Sequence, residues 1–251
     1  MKIKTLFICH LCIAFLLGTF LWPVTKVYWD LLDLFFFRLL NDPLENNKLL
    51  QYFWAFSNHK AADWIEDIVF FIFFYLYVST PSEKNKLRKV AELSFCVLLI
   101  AFIIFFINKT FFREQVRILR DSPTLLIDQC VRLSYEIPWL SIKDTSPKCF
   151  PADHATTALL FAFTYSFLMR HRLSILACLY SIYLCLPRMA TGAHWLSDVL
   201  VGSGTIALFF LSWAYCTPVH QNIVDYLERF LRLFQLNENS LTNKSSAVKK
   251  K

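Results

Sequence analysis

PRMATGAHWLSDVLVGSGTIALFFLSWAYC, residues 187–216, decides how this chain folds. Val199 to Cys216 contains no charged side chain, and an apolar run of that length is read as a membrane span. Immediately before it stand Arg188, His194 and Asp198, polar groups that are costly inside hydrocarbon. They therefore belong at the end of the span, where membrane meets water. Working outward, an apolar run over 173–187 leads into the same motif, and another over 155–169 starts directly after His154. Two spans, 155–169 and 173–187, separate His154 from His194, so both lie at one membrane face whichever way the protein is inserted. Further runs at about 5–22, 64–80 and 90–107 bring the expectation to an all-α integral membrane bundle of six transmembrane helices.

The hydrophobic fraction, 56% of 251 residues, fits one compact membrane domain better than two. That domain is expected over 1–236, followed by a polar, basic, disordered tail over 237–251. The first run follows Lys2 and Lys4, but bulky Leu21-Trp22-Pro23 gives no small-residue cleavage site, so it reads as an uncleaved anchor. Val27, Leu31, Leu34, Phe35 and Arg38 fit an interfacial helix ended by Pro43, and Leu49 to Phe56 a second short one. Ile223, Leu227, Phe230, Leu231 and Phe234 recur at helical spacing beside Arg229 and Arg232, as in a helix lying on the membrane surface.

The net charge of +7 is no nucleic-acid signature, because the basic residues flank spans and no base-stacking platform accompanies them. Lys2, Lys4, the Lys84–Lys89 cluster, Arg170, Arg172 and the terminal lysines all fall on one side of a six-span chain. By the positive-inside bias that side is cytoplasmic, with both termini, and the histidines face the other way. The segment over 109–153 breaks the bias, with Lys109, Arg113, Arg117, Arg120, Arg132, Lys143 and Lys148 on the outer side. An anionic ligand accounts for such a loop; partial pairing with Glu114, Asp121, Asp128, Glu136 and Asp144 is the plainer alternative. Six of the eight cysteines lie in apolar runs, and only Cys130 and Cys149 share an external loop, where an oxidising compartment would let them pair.

His194 and Asp198 are four apart at a helix start, which predicts a shared face and a carboxylate that fixes the imidazole tautomer. The free ring nitrogen is then a nucleophile for phosphorus, His154 a general acid, and Arg120 and Arg188 forks for phosphoryl oxygens. Metal binding is the competing use of His, His and Asp. The chain has neither a His-x-x-x-His nor a Glu-x-x-His pair, and nearby arginines oppose a cation, so no metal and no other cofactor is expected.

The pattern resembles the type 2 phosphatidic acid phosphatase superfamily, whose motifs run Lys-x6-Arg-Pro, Pro-Ser-Gly-His and Ser-Arg-x5-His-x3-Asp. By that resemblance His194 is the nucleophile that becomes a phosphohistidine, Asp198 its orienter, His154 the acid, and Arg120 and Arg188 the phosphate ligands. This chain differs in having Arg113 where lysine is usual, Asp121-Ser122-Pro123 after Arg120, Ala152 and Asp153 before His154, and Pro187 before Arg188. These differences, with Ser122-Pro123-Thr124-Leu125 and Lys143-Asp144-Thr145-Ser146, look like one branch of the superfamily. That branch moves the terminal phosphate of undecaprenyl diphosphate onto lipid A at the periplasmic face of the bacterial inner membrane. The resemblance implies undecaprenyl diphosphate as donor and lipid A as acceptor. Arg113 would assist Arg120 and Arg188 with phosphate, and Lys143, Arg132 and Arg117 would be spare cations to seat the acceptor. Hydrolysis of the same lipid by water is the alternative. A non-catalytic lipid-binding scaffold is a third reading, opposed by the intact His154, His194 and Asp198.

Overall fold

The computed structural model describes residues 1–116, 118–169 and 172–248, with side chains as far as Leu233. It is all-helical, about 79% helix, with no strand among the described residues. In chain order the helices are α1 (Ile3–Leu21), α2 (Pro23–Asn41), α3 (Lys48–Ser57), α4 (Lys60–Ser79) and α5 (Lys86–Phe102, continuing as a wider π-type coil over Ile103–Val116). Two single turns, α6 (Pro123–Leu126) and α7 (Leu133–Glu136), interrupt the long segment between α5 and the next helix. Then come α8 (Asp153–Leu168), α9 (Arg172–Ala190), α10 (Gly204–Cys216, preceded by π-type turns over Asp198–Ser203) and α11 (Val219–Val248).

Among the described residues four stretches are long and apolar enough to cross a membrane: Ile3–Leu21, Lys86–Val116, Arg172–Ala190 and Asp198–Cys216. The other two expected spans lie in α4 and α8. The first turns of α4 carry Lys60, Asp63, Glu66 and Asp67, and α8 has only 16 residues. Helix α1 fully buries none of its residues, so much of its apolar surface is left facing outward, which a helix can do in lipid because its backbone hydrogen bonds are internal.

Helices α8 and α9 form the central antiparallel pair, with α10 against α8 and α1 against α10. Aromatic stacking fills the space between α4 and α8: Phe73, Phe161, Tyr165 and Tyr77 are buried there, and the Phe70 and Phe161 rings lie 4.4 Å apart. At one end of the bundle Lys2 N–H donates to the Cys216 carbonyl (2.8 Å), and Arg88 pairs with Asp225 and Glu228 of α11. Helix α11 packs on α5 through Val224, Leu227 and Leu231. It continues to Val248, into the stretch from 237 that the sequence reading expected to lack order. Lys249 to Lys251 and Arg170 lie outside the described residues. The N-terminus of α8, the C-terminus of α9 and the start of α4 meet at the opposite end, around His154 and Arg188.

Candidate active site

Arg188 sits in the last turn of α9, and the chain must then reverse within a few residues to begin the next helix. Gly192 makes that reversal at φ +77°, a left-handed conformation that favours glycine. The amides of Ala193 and His194 turn back to the Arg188 carbonyl at 2.9 and 3.2 Å, capping the helix. A Cβ at position 192 would lie 2.5 Å from Thr124 Cγ2 and 3.0 Å from Phe37 Cε2. Gly192→Ala is therefore expected to cost about 1–3 kcal/mol, from backbone strain and overpacking together, seen as a lowered thermal midpoint. An unchanged midpoint would contradict the tight turn.

The next helix starts after His194, not at it. Asp198 Oδ2 accepts from Trp195 N–H at 2.8 Å, the reach-back of a capping box. His194 consequently lies outside the helical register that the i, i+4 spacing predicted. Its Nδ1 is 3.5 Å from Asp198 Oδ2 but 2.7 Å from the carbonyl oxygen of Cys149. A backbone carbonyl, more than the carboxylate, fixes the ring. It holds the proton on Nδ1 and leaves Nε2 with its lone pair. Cys149 is placed in turn by its N–H donating to the Arg120 carbonyl at 3.0 Å.

A cavity of about 450 Å³ gathers Lys143, His154, Arg188 and His194, with Asn58 and Asp63 on its wall. Arg188 donates to Asn58 Oδ1, to the Asn58 carbonyl (3.2 Å) and to His154 Nε2 (3.0 Å). His154 Nδ1 faces Glu66 at 3.8 Å. The segment between α5 and α8 delivers Lys143 through the two short motifs singled out in the sequence. Ser122 N–H donates to the Ser146 carbonyl and Ser146 N–H to Ser122 Oγ, both at 2.9 Å. Thr124 Oγ1 donates to the Asp144 carbonyl and stands 3.2 Å from that of Gly192. Burial, then the charges of Arg113 and Arg188, hold the Lys143 ammonium below the ordinary lysine value, against the pull of Asp153.

The remaining expected phosphate ligands are placed differently. Arg120 is turned away from this cavity: one arm binds Asp198 and the other Asp33 Oδ2 at 2.6 Å, beside a separate hollow of about 580 Å³. Burial pulls its guanidinium down, but Asp198 and Asp33 outweigh that and hold it above its usual value. Arg113 pairs with Asp153 at 2.7 Å, next to His154. Arg132 donates to Tyr135 Oη (2.7 Å) and faces Asp144 (3.7 Å), so it braces the loop. Arg117 lies outside the described residues. Cys130 and Cys149 are both free thiols packed in one cluster with Phe37 and Trp195.

Sequence reasoning missed Asp33, Asn58, Asp63 and Glu66, which all come from α2 to α4. Asp63, Glu66 and His154 bring possible ligand atoms within 4.8 Å of one another. Arg188 Nη2 lies 3.4 Å from Asp63 and supplies positive charge to this group.

Residues 117–222 match the PAP2 superfamily model, so the resemblance carried by the motifs is borne out. The matched region contains Arg120, Lys143, His154, Arg188, His194 and Asp198. The lipid A 1-diphosphate synthase of Escherichia coli (strain K12) is 26% identical over 215 residues, covering 83% of this chain and 86% of that protein. No solved structure matches the chain.

Proposed function

We propose that this protein is a phosphotransferase that moves the terminal phosphate of undecaprenyl diphosphate onto the 1-phosphate of lipid A. The observation that carries the proposal is the meeting of His194, His154, Arg188 and Lys143 on one cavity at one end of an apolar bundle. The similarity to lipid A 1-diphosphate synthase supports the choice of donor and acceptor.

In the first step the His194 Nε2 lone pair attacks the terminal phosphorus. The bond to the leaving oxygen breaks, His154 gives that oxygen a proton, and undecaprenyl phosphate departs. Arg188 and Lys143 offset the charge on the phosphoryl oxygens. In the second step an oxygen of the lipid A 1-phosphate attacks phosphohistidine. The N–P bond breaks and His194 is regenerated. Asp198 holds the first turn of the helix after His194, and neither step draws on a metal. The same proposal makes α4 and α8 the second and fourth of six spans, with the charged start of α4 at the interface. Both termini are then cytoplasmic and the cavity faces the periplasm, in the inner membrane of a bacterium.

Purified protein, terminally labelled undecaprenyl diphosphate and excess chelator test this directly, with and without lipid A. Label on lipid A is the expected result. Label released only as free phosphate, whether or not lipid A is present, would make water the acceptor and overturn the transferase reading.

The lowered Lys143 value has a consequence for pH. Its positive charge, and the phosphate affinity it provides, are lost as pH rises through a value below that of an ordinary lysine. KM is thus expected to rise earlier on the alkaline side than a normal lysine would give. In Lys143→Arg the rise should move to higher pH, because guanidinium stays charged. Coincident profiles for the two proteins would remove Lys143 from the phosphate site.

A further inference from the structure

We infer that Asp33 of α2 is a positioning residue for the His194 site, acting through Arg120, Ser197 and Asp198. The inference rests on His194 being the reacting group. Helix α2 lies outside the region matched to the superfamily and supplies none of its motifs. Yet Asp33, in a helix of mostly aromatic and aliphatic residues, is only 2% exposed. A carboxylate is costly in such a place unless its oxygens are fully used.

They are used on two segments that frame His194. Asp33 Oδ1 accepts from Ser197 N–H at 2.8 Å, and Oδ2 accepts from Ser197 Oγ at 2.5 Å and Arg120 Nη2 at 2.6 Å. The other arm of Arg120 binds Asp198. Asp198 is held a second time by Trp195 N–H. Arg120 also accepts, through its carbonyl, the N–H of Cys149, the residue whose own carbonyl orients the His194 ring. One buried carboxylate therefore fixes both the first turn of the helix after His194 and the segment around Cys149 that sets the imidazole. Asp33 does not line the cavity, so it acts through these residues and not on substrate. Its partners also explain why Arg120 is unavailable as a free phosphate fork: both arms are committed to carboxylates.

The test uses the full-length protein with a labelled lipid diphosphate, measuring kcat, KM and thermal midpoint for Asp33→Asn, Arg120→Gln and the double variant. Asp33→Asn should lower kcat by ~10–100-fold, the range for groups that orient a reacting residue, with KM within about twofold. Because Asp33 acts through Arg120, the double variant should fall only roughly threefold below the weaker single variant. Ser197→Ala removes one of the three bonds and decides the matter if Asp33→Asn does not fold: kcat should drop by roughly 3–10-fold at unchanged KM. A kcat within about twofold of wild type in the folded Asp33 variant, or in Ser197→Ala where that variant does not fold, would overturn the inference. So would losses that simply multiply in the double variant. A wild-type protein inactive on every lipid phosphate would instead overturn the proposed function and this inference with it. Active wild type, inactive His194→Ala and fully active Asp33→Asn would overturn the inference alone.

Discussion

His194→Ala should abolish transfer, by ~10⁴-fold or more, while leaving the protein folded. The size of the loss follows from the covalent role. Without the imidazole there is no atom to carry the phosphoryl group between donor and acceptor, and the remaining cations can only bind substrate. The fold should survive because the helix start depends on other groups: Asp198 caps it through Trp195 N–H, and Ser197 is tied to Asp33. Among the described residues the ring's one hydrogen bond runs to the Cys149 carbonyl. Turnover measured beside a thermal melt checks both halves. Residual transfer above about a tenth of wild type, far more than loss of a nucleophile permits, would mean that His194 is not the reacting group.

Arg188→Ala should cost ~10²–10³-fold in kcat, the usual penalty for losing a donor aimed at transition-state charge. Arg188 lines the cavity with both His154 and His194. Its fork already spans Asn58 and the Nε2 of His154, so it stands beside the group that would protonate the leaving oxygen. Arg188→Lys should recover little, because an ammonium is a point charge and cannot reproduce two parallel donors. Near-complete recovery by lysine would indicate a simple charge requirement. A loss confined to KM in Arg188→Ala would place Arg188 in ground-state binding only.

The long-range placement of the motifs was legible in the sequence because it depends on parity. Two spans separate His154 from His194, so the two must share a face, and the structure brings them to one cavity with Arg188. Lys143 was legible as excess charge in an external segment, though not as a wall of the same cavity as the histidines. What escaped was everything set by contacts between distant helices. Nothing local marks Asp33 as the partner of Arg120, or Asn58 as the partner of Arg188, since the paired residues stand 87 and 130 positions apart in the chain. The fork-like Arg120 was read as a phosphate ligand for the same reason: its two carboxylates were invisible. The spacing of His194 and Asp198 misled more subtly. It is helical spacing, but the capping turn at Trp195 starts the helix after His194, and a carbonyl takes the place assigned to the carboxylate. Helix α4 shows a further limit of composition, since Asp63, Glu66 and Asp67 interrupt its apolar run at the end that meets the site.

The most direct test of the account is to trap the phosphoryl intermediate. The full-length protein, mixed with terminally labelled undecaprenyl diphosphate in the absence of lipid A and quenched in alkali, should carry acid-labile label on a single peptide. Mapping should place that label on His194, and subsequent addition of lipid A to an unquenched sample should discharge it onto the lipid. Label on another residue, or efficient transfer with no labelled protein at any time point, would contradict a His194 phosphohistidine.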